Sequence, residues 1–124
     1  MNLVDSSAWL EYFADGPNAA FFAPAIEKTS DLIVPTIVVF EIYKRIHQQR
    51  NQHDAIEAVA TLRAGRIVDL TLALAIRAAA IGHSEKLPLA DCIILATARA
   101  ENAIIWTQDR DFERIGGVKF RAKK

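Results

Sequence analysis

Short β-branched runs separated by helix-patterned stretches recur along this chain, and that alternation restricts its fold more than any other feature. Leu3-Val4, Leu32-Ile33-Val34, Ile67-Val68-Asp69-Leu70 and Ala103-Ile104-Ile105-Trp106 read as short buried strands, and Val118-Lys119-Phe120 as an edge strand. Strands that alternate with helices predict a parallel sheet covered on both faces, with right-handed crossovers. The fold class is therefore α/β: a three-layer α/β/α arrangement around a central, mainly parallel sheet of four to five strands. With 124 residues, 52% of them hydrophobic, residues 1–124 are expected to form a single domain with one sizeable core.

The punctuation between strands supports helices. Asp5-Ser6-Ser7 can accept the free N–H groups of a first turn that continues through Trp9, Leu10, Tyr12 and Phe13, with Gly16-Pro17 as the stop. Ala19 to Phe22 reads as a second helix whose course Pro24 complicates. Pro35-Thr36 opens a helix that runs through Ile37, Val38, Glu41, Ile42, Arg45 and Ile46, and Gln52 to Ala64 returns antiparallel to it up to Gly65. Leu72 to Ser84 is an Ala-rich helix, Pro88 to Asn102 carries a wide apolar stripe, and Asp111 to Ile115 makes a short turn before Gly116-Gly117.

Fifteen Lys and Arg balance fifteen Asp and Glu, so bulk charge announces no nucleic-acid binder. The distribution says more. Residues 1–43 hold six acids and one base, whereas the basic residues concentrate after Glu41 and include Lys44, Arg45 and Arg50. The single cysteine, Cys92, cannot form an intrachain disulfide, no secretory leader pattern is evident, and the apolar runs fall far short of the ~20 residues that cross a bilayer. A soluble protein of the reducing cytoplasm, with no membrane association, is expected.

Four acids stand in or beside apolar segments from distant parts of the chain: Asp5, Glu41, Asp91 and Asp109. A carboxylate among apolar residues loses hydration, and a partner, a proton or a metal ion usually meets that cost. Each acid has an ordinary account. Asp5 caps a helix, Glu41 has Lys44 and Arg45 at ion-pairing spacings, and one of Asp109 and Asp111 suits a capped turn. Asp91 is harder to dismiss, because Leu87, Ile94 and Leu95 at i−4, i+3 and i+4 put it on the apolar stripe. The sheet rule places sites beyond the carboxyl ends of strands, and these acids converge there. A shared cation explains them jointly, and carboxylates without Cys or a paired His set select Mg²⁺ or Mn²⁺. His47, His53 and His83 are not spaced as such a set.

Val4-Asp5-Ser6-Ser7, Glu41 in its helix, Leu89-Ala90-Asp91-Cys92 and Thr107-Gln108-Asp109-Arg110-Asp111-Phe112 together resemble a PIN domain, and more narrowly the compact VapC-type toxins. The resemblance covers essentially the whole chain. It implies an endoribonuclease that uses Mg²⁺ or Mn²⁺, is held inactive by a cognate VapB-like antitoxin protein and commonly forms a homodimer. Asp5, Glu41, Asp91 and Asp109 match the family's acidic quartet, Ser7 its polar helper and Asp111 an outer ligand, with Asp109 and Asp111 both open as the fourth acid. On this reading Asp5 and Asp91 are the main metal ligands, Asp109 binds a second ion or water, and Glu41 is a ligand or water-orienting base. Ser7 and Thr107 hold carboxylates or waters, and Lys44, Arg45 and Arg50 steer RNA.

Two other classes remain open. A signalling receiver domain shares the length, the element order and an acidic Mg²⁺ pocket, but it would place an acidic pair after the first strand. Here one Asp follows that strand and two acids lie in helices. A non-catalytic interaction module is the second, against which the intact acids count. Trp9, Tyr12 and Trp106 are assigned to packing, and Cys92 to a small buried hydrophobe.

Overall fold

The computed structural model describes residues 1–124. The strands are β1 (Asn2–Val4), β2 (Leu32–Pro35), β3 (Arg66–Val68), β4 (Ile104–Thr107) and β5 (Lys119–Phe120). The helices are α1 (Ser6–Phe13), α2 (Ala19–Glu27), α3 (Thr36–Gln49), α4 (Gln52–Leu62), α5 (Leu72–Glu85) and α6 (Leu89–Ala100). The five strands form one sheet in the order β3-β2-β1-β4-β5, and every pairing is parallel. This is the α/β/α architecture the alternation predicts.

The chain steps from β1 outward through β2 to β3, then returns to the other side of β1 for β4 and β5. Right-handed crossovers accordingly place α1 to α4 over one face and α5 with α6 over the other. Packing agrees, since α1 meets α2 and α3, α3 meets α4, and α5 meets α6. The direction of winding reverses between β1 and β4, so the crevice beyond their carboxyl ends is where such a sheet binds ligands. Register fixes its floor: Val4 lies beside Trp106, and the Asp5 N–H donates to the Trp106 carbonyl at 3.1 Å.

Leu3, Val4, Ile33 and Val34 are fully buried in the central strands, and Val38, Ile42 and Ile94 pack onto them from the helices. A smaller cluster of Leu74, Ala78, Cys92, Ile93 and Ala96 glues α5 to α6. Cys92 sits there as a small hydrophobe, its thiol against the Leu87 carbonyl.

Several boundaries differ from the sequence expectation for identifiable reasons. Helix α1 ends before Gly16-Pro17, because Asp15 takes the left-handed conformation (φ 51°) while the Gly16 N–H reaches back to the Glu11 carbonyl and the Asp15 N–H to that of Tyr12. Asn102 (φ 53°) ends α6 in the same way, short of where the apolar stripe pointed. Strand β3 stops at Val68 rather than Leu70. Its partner β2 ends at Pro35, α3 begins at Thr36, and no extended backbone remains for Asp69 and Leu70 to pair with. Helix α2 continues through Pro24, which forfeits one backbone bond while Phe22, Ala25 and Ile26 bury its inner face.

Helix α5 depends on a cap that the sequence reading did not single out. The Thr71 hydroxyl accepts the Leu74 N–H at 3.2 Å. Thr71→Ala should lower unfolding free energy by about 0.5–2 kcal/mol in urea titration without changing the m-value. A neutral result would show that α5 is held by packing alone.

Candidate metal centre

Asp5 follows β1 and does two things at once. Its Oδ1 accepts the Ala8 N–H at 3.0 Å, capping α1, and the Ser7 hydroxyl at 2.7 Å, while Oδ2 accepts the Thr107 hydroxyl at 2.5 Å. Only 2% of Asp5 is exposed. Burial pushes its carboxyl up to about 6, against those three hydrogen bonds and with some help from the charge of Asp109.

Thr107 ends β4, fully buried, and couples that strand's exit to the exit of β1. Its hydroxyl oxygen also accepts the Asp109 N–H at 2.9 Å, while the Ser7 hydroxyl oxygen accepts the Gln108 N–H at 3.2 Å. Asp109 in turn caps the tight turn Arg110–Phe112 by accepting the Asp111 N–H at 2.9 Å. Phe112, fully buried, pins this turn to the core. Two acids are therefore presented from one short, well-anchored loop.

Asp91 lies in the first turn of α6, 8% exposed, and its carboxylate receives no hydrogen bond from the protein. Its carboxyl is pushed up to about 7, first by burial and then by Asp109, Asp111, Asp5 and Glu41 in that order. Glu41 projects from α3, which touches α6, and is half-buried with the Ser6 hydroxyl donating to it at 2.9 Å. Burial raises its carboxyl, Asp109 adds to this, and Ser6 and Arg45 oppose it. Neither Lys44 nor Arg45 forms an ion pair with Glu41, so the helical pairing that would have explained it is not made.

The structure thus brings all five acids into one electrostatic neighbourhood at the winding reversal. The closest set is Asp91, Asp109 and Asp111, whose oxygens lie within 4.8 Å of one another. Asp5 and Glu41 stand outside that triad, and Asp111, expected as an outer ligand, stands inside it. The donor set fits a hard divalent cation: carboxylate oxygens with no thiolate or imidazole among them, one of them on the largely buried Asp91, which accepts no hydrogen bond from the protein.

Beside the acids opens a cleft of about 850 Å³ lined by Ser6, Ser7, Asp109, Arg45, Arg50 and Lys123, among others. Arg45 and Arg50 line this cleft, although Arg50 is also paired with Asp54 at 2.6 Å. Lys44 does not join them. It rests 5.8 Å from the centre of the Phe40 ring and lines a separate apolar groove between α3 and α4, because adjacent helical positions point about 100° apart.

The sequence reading missed a buried polar network behind this cleft. Asn18, 1% exposed, donates to the Gln108 side chain at 3.1 Å and to the Ala122 carbonyl at 2.9 Å, while its N–H donates to Glu11 at 2.7 Å. A Cβ at Gly16 would collide with that Glu11 carboxylate. The available signal was the Gly16-Pro17-Asn18 turn, whose Gly16-Pro17 pair reads as the stop of one helix and the opening of the next.

A family model for the PIN domain matches residues 3–118. No curated protein matches the chain in sequence. Among solved structures, a toxin-antitoxin complex from Klebsiella pneumoniae superposes with a TM-score of 0.77 at 26% identity, covering 95% of each chain. The Mycobacterium tuberculosis VapC20, a sarcin-ricin loop cleaving toxin, gives 0.79 at 21% identity over 98% of this chain and 99% of its own. A DNA-bound VapBC from Salmonella typhimurium gives 0.75 at 16% identity over 98% of each chain.

Proposed function

This chain belongs to the PIN domain family, and on that premise we propose that it is a Mg²⁺- or Mn²⁺-dependent endoribonuclease acting as the toxin of a toxin–antitoxin pair. One observation carries the chemistry: Asp91, 8% exposed and with no hydrogen-bond donor in the protein, faces four other carboxylates, a repulsion that a divalent cation would relieve. The sarcin-ricin loop cleaving neighbour supports the substrate class, and the toxin-antitoxin complexes support the biological setting.

Asp91, Asp109 and Asp111 would hold the ion, with Asp5 and Glu41 beside it. Bound there, it would neutralise charge on the scissile phosphate and lower the pKa of an attacking water. Ser7 and Thr107 fix the Asp5 carboxylate from both sides, so its orientation costs nothing at the moment of reaction. Glu41, its carboxyl raised by burial and steadied by Ser6, would orient or deprotonate a water. Arg45, Arg50 and Lys123 draw the polyanion into the cleft that the acids alone would repel.

Residues 1–124 act as one domain in this reading, supported by a family match across 3–118. The partners are RNA, a VapB-like antitoxin and a second copy of the chain, and the setting is the cytoplasm. No helix is long and apolar enough to cross a membrane.

The test is incubation of purified protein with structured and unstructured RNA in Mg²⁺, Mn²⁺ or EDTA. Cutting should require metal, and cutting that persists undiminished in EDTA overturns the proposal. Thr107→Val, which keeps shape and removes the hydroxyl, should cost ~10–100-fold in cleavage. It also removes a bond that lowers the Asp5 carboxyl, so the acidic limb of the pH–rate profile should move to higher pH. An unchanged profile would separate Thr107 from the reaction.

A further inference from the structure

A second basic cavity adjoins the acids, between the α5–α6 connection and the turn that carries Asp111. It has a volume of about 420 Å³ and is lined by Lys86, Leu87, Arg110, Asp111, Glu113 and Arg114. Arg110 lines both cavities, with Asp109 on the cleft side and Asp111 on this one. The loop that carries Asp109 and Asp111 therefore borders two basic cavities.

We propose that Lys86 and Arg114 form a second RNA phosphate site, so that the strand crosses the acidic centre with backbone phosphates held on both sides of the bond to be cut. This rests on the nuclease reading above. A strand gripped only at Arg45, Arg50 and Lys123 would be repelled where it passes over five carboxylates, and its far end would be free to swing away from them. Cations at a second margin keep it in line.

The local structure suits the task. Arg114 donates through Nη2 to the Glu85 carbonyl at 2.8 Å, which ties the side chain to the end of α5 and leaves other guanidinium N–H groups for a phosphate. Lys86 follows α5 in the left-handed conformation (φ 56°), at the bend that leads through Leu87-Pro88 to the helix carrying Asp91. The acids on this margin are Asp111, part of the triad, and Glu113, whose 3.2 Å pair with Arg110 is exposed and weak enough for a phosphate to displace.

The experiment measures binding of a fluorescein-labelled single-stranded RNA to the Asp5→Asn protein in Mg²⁺ across a salt series, with Lys86→Gln and Arg114→Gln added singly and together. Each substitution should weaken binding and reduce the slope of log K against log salt by ~0.7, so the pair by roughly 1.4. Arg114→Lys, which keeps the charge, should retain most of the slope. Equal affinity and slope in the double variant, with RNA still bound by the Asp5→Asn parent, overturns this site alone. A parent that binds no RNA at any salt overturns this site and the nuclease reading together.

Discussion

Replacing Asp91 by Asn should abolish RNA cleavage and, in the same protein, raise metal-free stability at neutral pH. The substitution keeps size and shape while removing the charge that the fold opposes most. Asp91 is buried, accepts no hydrogen bond and faces Asp109, Asp111, Asp5 and Glu41, which together push its carboxyl up to about 7. Removing that charge should stabilise the metal-free fold by on the order of 1–3 kcal/mol. The loss of cleavage should exceed the ~10–100-fold typical of an outer-shell partner, because Asp91 lies in the triad itself. Asp5→Asn should behave differently. It also loses cleavage, but Asp5 accepts three hydrogen bonds, so no comparable stability gain follows. Thermal melts and cleavage assays on both variants check the contrast, and a destabilised Asp91→Asn would contradict it.

Without metal, the protein should be most stable in mild acid and should weaken as pH rises towards neutrality. Asp5 and Asp91 have folded-state values of about 6 and about 7, both above their ordinary value of 3.8. Between pH 4 and 7 the folded protein therefore binds more protons than the unfolded chain, and stability falls with rising pH across that window. Glu41, also raised, acts in the same direction. Asp31, lowered by Lys28, acts in the opposite one, but it is exposed and its effect is small. A divalent cation offsets part of this loss because it binds the ionised acids. At a hundred times its Kd it would add ~2.7 kcal/mol near neutral pH and almost nothing at pH 4, where protons compete. Melting curves across this range, in EDTA and in Mn²⁺, measure both slopes. Metal-free stability that climbs from pH 4 to 7 would contradict the account.

Local chemistry explains why the strand-to-acid geometry was readable from sequence. Leu3-Val4 before Asp5 and Ile104-Ile105-Trp106 before Asp109 carry their own burial and turn signals, and the winding reversal between β1 and β4 then brings the two exits together. Asp91 announced itself by standing on an apolar stripe. What stayed hidden depends on which way side chains turn after the elements pack. Lys44 and Arg45 are neighbours in sequence, yet one rests on Phe40 and the other lines the cleft. Asp111 joins the triad because Asp109 caps a tight turn that brings both carboxylates to Asp91, and spacing alone does not fix that direction. The Asn18 link between Gln108 and the chain near Ala122 spans about ninety residues on one side and a hundred on the other, so no local pattern encodes it. Lys86, Arg110 and Arg114 read as scattered surface charge until the fold gathers them around one cavity.

The most direct measurement of the central claim is Mn²⁺ binding at neutral pH, followed by the loss of the free-ion electron paramagnetic resonance signal, in wild type, Asp91→Asn and Asp5→Asn. Saturable binding is expected in wild type, lost or strongly weakened in Asp91→Asn and reduced in Asp5→Asn. Wild-type protein that binds no Mn²⁺, or Asp91→Asn that binds it as tightly as wild type, would contradict the assignment of these carboxylates to a metal centre.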